Sequence, residues 1–167
     1  IVGVEFRNLA TLGGSLWGRF GFSDLLTLFL PLDSSVELFH GGILPLSEFA
    51  EKPYDRDILV RLILKKTPMK MAYSTVRTQK TDFPALNCSV VLANGALRAA
   101  VGARPDRAVL VTLPQMPESA AAFGKMLAEA VPMGSNLRGS AAYRTHLAAV
   151  LGERCFARLT APQKEEV

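Results

Sequence analysis

The chain has 167 residues, of which 49% are hydrophobic and 20% are charged. This composition is typical of a globular protein with a sizeable core, and it excludes an intrinsically disordered chain. The formal net charge is only +4. The basic residues are scattered and do not form the concentrated basic stripe or the aromatic reader motif of a nucleic-acid binder. We therefore expect no nucleic-acid partner.

The sequence also argues against a membrane span and a metal centre. No stretch approaches the roughly 20 apolar residues that a spanning helix needs, and no secretory signal is visible. Cys88 and Cys155 are too few for an iron–sulfur cluster and do not make a disulfide framework, so we interpret both as buried apolar residues in a reducing compartment. His40 and His146 lack converging ligands. These features predict a cytoplasmic protein that holds no metal.

The front of the chain predicts a mixed arrangement. Residues 1–6 alternate weakly and predict a short strand. The sequence would then begin inside a longer protein or follow removal of a preceding segment. Gly13-Gly14 predicts a turn whose backbone N–H groups lie close to a ligand. Ser23 is the expected N-cap of a short apolar helix, with Asp24 in its first turn and Pro31 at its end.

Further strands and one short helix are expected before residue 66. The strands are predicted over residues 35–39, 43–44 and 57–65, with a turn at residues 40–42 and a short helix from residue 45. Lys66-Thr67-Pro68 then breaks the pattern. We therefore predict two domains, residues 1–66 and 67–160, followed by a polar tail over residues 161–167 that is expected to fray.

Beyond the boundary, the sequence predicts an antiparallel sheet. Its strands are predicted over residues 70–78, 86–93, 96–103 and 108–113. Asn94-Gly95 is the strongest hairpin signal of the chain. The predicted class is α+β: a mixed or antiparallel sheet with helices, followed by a small antiparallel sheet backed by two helices.

Two helices are expected to cover this second sheet. Pro117 is predicted to begin the first helix, and Ser140 is predicted to cap the second. Helical spacing predicts which side chains form the inner face of each helix. These are Phe123, Met126, Leu127 and Ala130 for the first helix, and Tyr143, Leu147, Val150 and Leu151 for the second.

Two motifs more than a hundred residues apart resemble those of one protein family. Residues 7–15 have the sequence RNLATLGGS, and Ser23-Asp24 follows at a matching interval. Residues 138–147 have the sequence RGSAAYRTHL. Both motifs, in this order, are similar to segments of the FAD-binding subunit of xanthine dehydrogenase- and carbon monoxide dehydrogenase-type molybdenum hydroxylases. The resemblance covers residues 3–159, including the strand at 58–64 and the segment 72–83.

The resemblance implies that this chain is the rear portion of such a subunit. The part before residue 66 would be the second lobe of the FAD-binding domain, and the remainder the C-terminal domain. A first lobe with its own glycine-rich loop would lie outside this chain, so we expect the chain by itself to bind FAD weakly or not at all. The implied partners are a molybdopterin-binding subunit and an iron–sulfur subunit. Electrons would pass from their cofactors through FAD to an acceptor such as NAD+, and self-association is left open.

The resemblance also places six residues at FAD, and no catalytic residue is expected. Backbone N–H groups and hydroxyls suit phosphate oxygens, whereas a carboxylate suits sugar hydroxyls and an apolar side chain suits a ring. The expected cofactor-binding residues are Thr11, Gly13, Gly14, Ser15, Asp24 and Leu59. Ser74 departs from the pattern, because some relatives have a lysine there.

Several features leave alternatives open. Residues 17–22, WGRFGF, replace the small residues and proline of many relatives. Trp17 or Phe20 would stack on a ring and Arg19 would meet a phosphate, or, as we favour, they pack between lobes or against a partner. Arg138 and Arg144 are interpreted as structural. For the whole chain, the second hypothesis is a non-catalytic docking module that binds partner subunits without a cofactor.

Overall fold

The computed structural model describes residues 3–113 and 115–161. Within them, the elements in chain order are α1 (Val4–Leu9), α2 (Leu12–Trp17), α3 (Asp24–Phe29), β1 (Ser34–Leu38), β2 (Gly42–Pro45), α4 (Leu46–Glu51), β3 (Leu59–Leu64), β4 (Met69–Val76), β5 (Leu86–Ala93), β6 (Ala96–Gly102), β7 (Val109–Leu113), α5 (Ala120–Ala130) and α6 (Ala141–Thr160). The strands form two sheets, ordered β2-β1-β3 and β4-β5-β6-β7, and every pair is antiparallel. The α+β class is confirmed.

The central hairpin of the second sheet forms where the sequence predicts it. β5 and β6 are joined by Asn94 and Gly95, whose φ angles are 52° and 75°. Positive φ at both central residues of a two-residue turn matches the twist of the flanking strands. The register accordingly begins with the pair Ala93 and Ala96.

Strand β5 is buried on both of its faces. Leu86, Cys88 and Val90 belong to the core cluster that includes α5 and α6. On the opposite face, the Asn87 side chain contacts α3 through Thr27, whose Oγ1 lies 3.1 Å from the Asn87 Oδ1 atom. Helices therefore cover both faces of this sheet, which explains why β5 is buried along nearly its whole length.

The two halves of the chain share packed residues. One cluster of buried residues contains side chains of α2, α3, β1 and α4, and it also includes Ala100 of β6 and Ala108 before β7. The other cluster lies between the four-stranded sheet and helices α5 and α6. The domain boundary near residue 66 stays a prediction. None of the helices in residues 3–113 and 115–161 is long and apolar enough to cross a membrane.

The predicted strand at residues 1–6 is wrong where the structure describes it. Residues 1 and 2 lie outside the described residues, and Val4–Leu9 is helical with no buried residue. Weak alternation over six residues is not specific, and this segment pairs with neither sheet, so its backbone groups bond locally instead. Phe6 and Leu9 remain 67% and 87% exposed.

The predicted turn at Gly13-Gly14 is also wrong. Both glycines lie in α2, and neither is among the described residues with positive φ. Thr11 caps the helix, because its Oγ1 atom accepts a hydrogen bond from the Gly14 backbone N–H at 3.0 Å. The cap and the fully buried Leu16 outweigh the low helix propensity of two glycines.

Helix α5 begins later than predicted. Its N-cap is Ser119, whose Oγ accepts from the Ala122 N–H at 3.1 Å, so Pro117 lies before the helix. Phe123 and Leu127 are buried as predicted. Met126 and Ala130 are exposed, because the buried stripe of α5 runs through Gly124 instead.

Helix α6 begins at the predicted cap. The Ser140 Oγ accepts from the Tyr143 N–H at 3.2 Å. Leu147 and Leu151 are buried as predicted and Val150 is half-buried, but Tyr143 is 43% exposed because Arg144 takes the inner position. Of the predicted frayed tail, residues 162–167 lie outside the described residues.

The Arg144 side chain is the main polar connection of the second half. It is fully buried, and its guanidinium donates only to oxygen atoms of loops around the sheet. The acceptors are the carbonyl oxygens of Ala85 (2.9 Å), Ala103 (3.1 Å), Gly134 (3.0 Å) and Gly139, and the Asn136 Oδ1 atom (2.6 Å). The structural interpretation of Arg144 is therefore correct, although carbonyl groups rather than an acid hold it.

Replacing Arg144 with Met should lower the free energy of unfolding by more than about 3 kcal/mol, since it leaves several buried carbonyl groups without a donor. Arg154→Met is the matched control: Arg154 is exposed on the same helix, so its loss should change the free energy by less than about 0.5 kcal/mol. Urea unfolding measures both. Equal effects would contradict the assigned role.

Candidate functional site

A cavity of about 420 Å³ lies where α2 and α3 begin. Thr11, Ser15 and Asp24 all line it, with Phe22 and Phe83 on another side. The structure therefore brings together three of the six residues expected to bind a cofactor. Gly13 and Gly14 lie between Thr11 and Ser15 in the same short helix.

The backbone at the start of α2 has open hydrogen-bond donors. The Gly14 N–H is used by Thr11, and the Ser15 N–H donates to the Thr11 carbonyl at 3.1 Å. Within the described part of the chain, the N–H groups of Leu12 and Gly13 have no acceptor. Ser23 links the two helices, because its Oγ donates to the Ser15 carbonyl at 3.4 Å.

Gly13 has no packing reason to be glycine. Its φ is not positive, and an added Cβ would meet only the Leu59 Cδ2 atom, at 3.8 Å, which is an ordinary van der Waals distance. The same observation places Leu59 beside the glycine pair. At Gly14, by contrast, a Cβ would lie 3.0 Å from the Thr11 Oγ1 atom and would crowd the cap.

The Asp24 carboxylate is held by the four-stranded sheet. It is only 7% exposed. Its Oδ1 atom accepts from the Tyr73 hydroxyl at 2.5 Å, from Arg77 Nη2 at 2.5 Å and from Asn87 Nδ2 at 3.3 Å. Among the described residues, no hydrogen bond reaches Oδ2. Asp24 therefore offers the cavity a fixed carboxylate with one oxygen still able to accept.

Tyr73 and Arg77 are site residues that the sequence analysis did not single out. They lie four residues apart along and just beyond β4, so both point to the same face of the sheet. Burial raises the pKa of Tyr73, and its hydrogen bond to Asp24 raises it further. The phenol therefore stays protonated and remains a donor. The sequence shows that Tyr73 and Arg77 lie on one face of a strand. It does not show that both donate to Asp24, which lies about fifty positions away.

A second cavity, of about 480 Å³, lies on the other side of Phe22 and Phe83. The rings of these two residues are 4.5 Å apart, and the Arg138 guanidinium lies 5.5 Å from the Phe83 ring centre. Arg138 Nη2 also donates to Asp82 Oδ1 at 2.7 Å, and this hydrogen bond lowers the pKa of Asp82. Arg138 therefore combines a structural ion pair with a place in a cavity wall.

The WGRFGF segment divides between the interior and the surface. Trp17 packs on Phe49 with ring centres 5.9 Å apart, and Arg19 is buried beside them. Phe20 lies outside, stacked on Phe22 at 5.2 Å. For Trp17 and Arg19, the interpretation as packing residues describes the geometry. The ligand contacts weighed for this segment stay predictions.

The cysteines and histidines occupy ordinary positions. Cys88 and Cys155 are free thiols buried against each other between β5 and α6, and this contact, with burial, raises the pKa of Cys88. The sequence did not indicate this contact, because Cys88 and Cys155 are far apart in the chain. His40 and His146 are exposed. No group of three or more His, Cys, Asp or Glu residues able to hold a metal ion occurs in the described residues.

The fold is one found in molybdenum-containing oxidoreductases. A chain of carbon monoxide dehydrogenase from Hydrogenophaga pseudoflava, in a form that lacks the Mo-pyranopterin moiety of its molybdenum cofactor, superposes with a TM-score of 0.81 at 19% identity. Quinoline 2-oxidoreductase from Pseudomonas putida 86 gives 0.80 at 20%, and reconstituted CO dehydrogenase from Oligotropha carboxidovorans gives 0.81 at 18%. Each match covers 95% of this chain and 63% or 64% of the other. At these identities, the likeness establishes the fold.

A relative found by sequence also aligns with most of this chain. The uncharacterized protein YgfM of Escherichia coli K12 is 28% identical over 152 residues, which are 87% of this chain and 56% of YgfM. No family model matches the chain. The chain thus spans just over half of the length of this relative and under two thirds of the solved chains.

Asp24→Asn should destabilise the protein by about 2–3 kcal/mol, because it removes the negative charge that compensates the buried Arg77 guanidinium. Asp33→Asn is the control. Asp33 pairs with Lys65 at 3.6 Å on the surface, and its loss should cost less than about 0.5 kcal/mol. Chemical unfolding at neutral pH compares the two variants. A neutral effect of Asp24→Asn would contradict the geometry described for the site.

Proposed function

We propose that this chain is part of the FAD-binding component of a molybdopterin-dependent dehydrogenase or hydroxylase. In this role it holds a flavin that passes electrons from iron–sulfur clusters to an acceptor such as NAD+. The observation that carries the proposal is the cavity at α2 and α3, where Thr11, Ser15 and Asp24 lie together beside the open N–H groups of Leu12 and Gly13. The shared fold with carbon monoxide dehydrogenase and quinoline 2-oxidoreductase supports it.

The residues present fit one part of a dinucleotide. The open N–H groups of Leu12 and Gly13, with the hydroxyls of Thr11 and Ser15, supply donors for phosphate oxygens. Glycine at position 13 lets a ligand approach the backbone closely. A phosphate bound here would meet no carboxylate repulsion from α2 itself, which carries no acidic residue.

Asp24 and Leu59 would serve the sugar and ring parts of the cofactor. Asp24 Oδ2 accepts hydroxyl hydrogen bonds, while Oδ1 stays with Tyr73 and Arg77. Leu59, which packs beside Gly13, supplies an apolar contact. Bound FAD supplies the redox chemistry, and the protein supplies binding and orientation. The proposal therefore needs no acid or base from this chain.

The second cavity supports an acceptor with a planar ring and an anionic group, as in NAD+. Its walls include Phe22 and Phe83, which also border the first cavity. Aromatic faces suit a planar ring, and the Arg138 guanidinium suits a phosphate. The two cavities are neighbours, so a ring in one would lie close to a ring in the other.

The remaining parts of the proposal concern organisation. Residues 1–66 belong to an FAD-binding lobe and residues 67–160 to a C-terminal domain. The molybdopterin and iron–sulfur centres lie on partner subunits. The free thiols of Cys88 and Cys155 support a reducing, cytoplasmic location.

A second candidate is a docking module that carries no cofactor. The exposure of large apolar side chains favours it, because such groups often mark protein interfaces. Examples are Phe6 and Leu9 of α1, 67% and 87% exposed, and Ile43 of β2, 64% exposed. In this role the chain would hold partner subunits together.

The visible spectrum of the native protein that contains this chain separates the two candidates. We expect a yellow protein with flavin absorption, or flavin absorption retained after incubation with FAD and gel filtration. A colourless protein that stays free of flavin after this treatment favours the docking module. It would contradict the flavin proposal if every partner polypeptide is present.

Gly13→Ala should separate cofactor binding from folding. The added methyl group fits beside Leu59 and removes a helical glycine, so stability should hold or rise by up to about 1 kcal/mol. FAD affinity, measured by flavin fluorescence on the native protein, should fall at least tenfold, because a methyl group at position 13 would hinder the close approach of a phosphate to the backbone N–H groups. Thr145→Ala, a change on the exposed surface of α6, is the control. Unchanged affinity in Gly13→Ala would contradict a close approach of the cofactor to the backbone at Gly13.

A further inference from the structure

Arg19 is buried in an environment that is unfavourable for its positive charge. It is 3% exposed, and its Nε, Nη1 and Nη2 atoms are all buried without a hydrogen-bond partner among the described residues. Arg144, which is also buried, satisfies its guanidinium with five oxygen atoms. A buried charge without an acceptor is costly, so Arg19 requires a separate explanation.

Three aromatic rings surround the guanidinium. The Arg19 Cζ atom lies 5.1 Å from the Trp17 ring centre, 4.5 Å from Phe49 and 4.4 Å from Tyr54. Ring faces attract a cation, but they do not accept the five N–H bonds of a guanidinium. The aromatic cluster of Trp17, Phe49 and Tyr54 therefore holds Arg19 without satisfying it.

Tyr54 covers this cluster from the solvent side. It is 61% exposed, whereas Phe49 is fully buried and Trp17 is half-buried. It lies between α4 and β3 in a segment without helix or strand. The Tyr54 hydroxyl donates a hydrogen bond to the Gly18 carbonyl oxygen. Moving one exposed ring would thus uncover the guanidinium.

The electrostatic surroundings favour an anion. Burial lowers the pKa of Arg19, Tyr54 partly opposes this shift, and the charge of the nearby Arg107 lowers the pKa further. The Arg107 guanidinium donates to the Ala50 and Glu51 carbonyl oxygens at the end of α4. In the described residues, no carboxylate forms an ion pair with Arg19 or with Arg107. Two neighbouring positive charges match a ligand that carries more than one negative charge.

The backbone of Arg19 supports a functional explanation. Its φ is 44°, in the left-handed region that residues other than glycine seldom occupy. An apolar side chain of similar length would fill the aromatic cluster without the cost of a buried charge. Strain and an uncompensated charge at the same position are typical of a residue kept for a ligand rather than for stability.

We propose that Arg19 is an oxyanion-binding residue covered by Tyr54, and that its ligand is the phosphate group of a small molecule. The planar guanidinium presents paired N–H groups that match two phosphate oxygens. The Tyr54 ring moves away when the ligand binds and covers the charge when the ligand leaves. This site is separate from the cavity at α2 and α3, and it does not depend on the proposed flavin function.

The experiment compares phosphate binding by the native protein and its variants, using the ³¹P line width of inorganic phosphate. Tyr54→Ala should bind phosphate at least fivefold more tightly than the unchanged protein, because no ring has to move. The double variant Tyr54→Ala with Arg19→Met should lose this gain, and Tyr54→Ala with Arg19→Lys should keep only part of it. Arg56→Met, an exposed residue of the same segment, is the control and should leave binding unchanged.

Two further measurements keep the proposal falsifiable. Glycerol 2-phosphate, compared with inorganic phosphate, shows whether the phosphate of an organic molecule is preferred, and sodium chloride at equal ionic strength corrects for screening. Arg19→Met should raise the midpoint of thermal unfolding. Binding by Tyr54→Ala that is no tighter than in the unchanged protein, or that survives Arg19→Met, would overturn the proposal. A lower midpoint for Arg19→Met would assign Arg19 to structure and overturn it as well.

Discussion

The buried carboxylate of Asp24 connects the two halves of this molecule. It begins α3 in the first half, and it accepts hydrogen bonds from Tyr73 of β4, from Arg77 just after β4 and from Asn87 of β5. These contacts fix α3 against the face of the four-stranded sheet opposite α5 and α6. The cavity wall at Thr11 and Ser15 is positioned in turn, because Ser23, the cap of α3, bonds to Ser15. This polar link therefore helps to fix the geometry of the site, together with the apolar cluster that the two halves share.

Two glycines near this link have opposite physical meanings. At Gly21, a Cβ would overlap the Asp106 backbone, so the close approach of the two halves requires glycine there. At Gly13, a Cβ would make only an ordinary contact with Leu59. The first glycine serves folding. Packing in the described chain does not require the second glycine, which is compatible with a ligand that approaches the backbone at that position. Arg19 belongs with Gly13, because its buried guanidinium has no hydrogen-bond acceptor in the described chain.

Much of the fold could be predicted because its signals are local. The Asn94-Gly95 turn and the Ser23 and Ser140 caps each act within a few residues. The predictions failed where contacts between distant segments determine the structure. The weakly alternating segment at residues 1–6 has no sheet partner, and its described part forms α1 instead of a strand. The glycine pair predicted as a turn lies in α2, which Thr11 caps. Met126 and Tyr143 have helical spacing but lie exposed, because the exact buried face depends on how α5 and α6 pack together.

For the site, the sequence by itself determined the identity of Thr11, Ser15 and Asp24 and the class of chemistry that their side chains allow. It also determined most of the strands and the caps at Ser23 and Ser140, since hydrogen bonding between near neighbours and apolar patterning are properties of short segments. Only the tertiary structure decided that Tyr73, Arg77 and Asn87 converge on Asp24, and that Arg19 is enclosed by three rings. Burial and electrostatic pairing arise between segments far apart in the chain, so no local pattern of residues contains them.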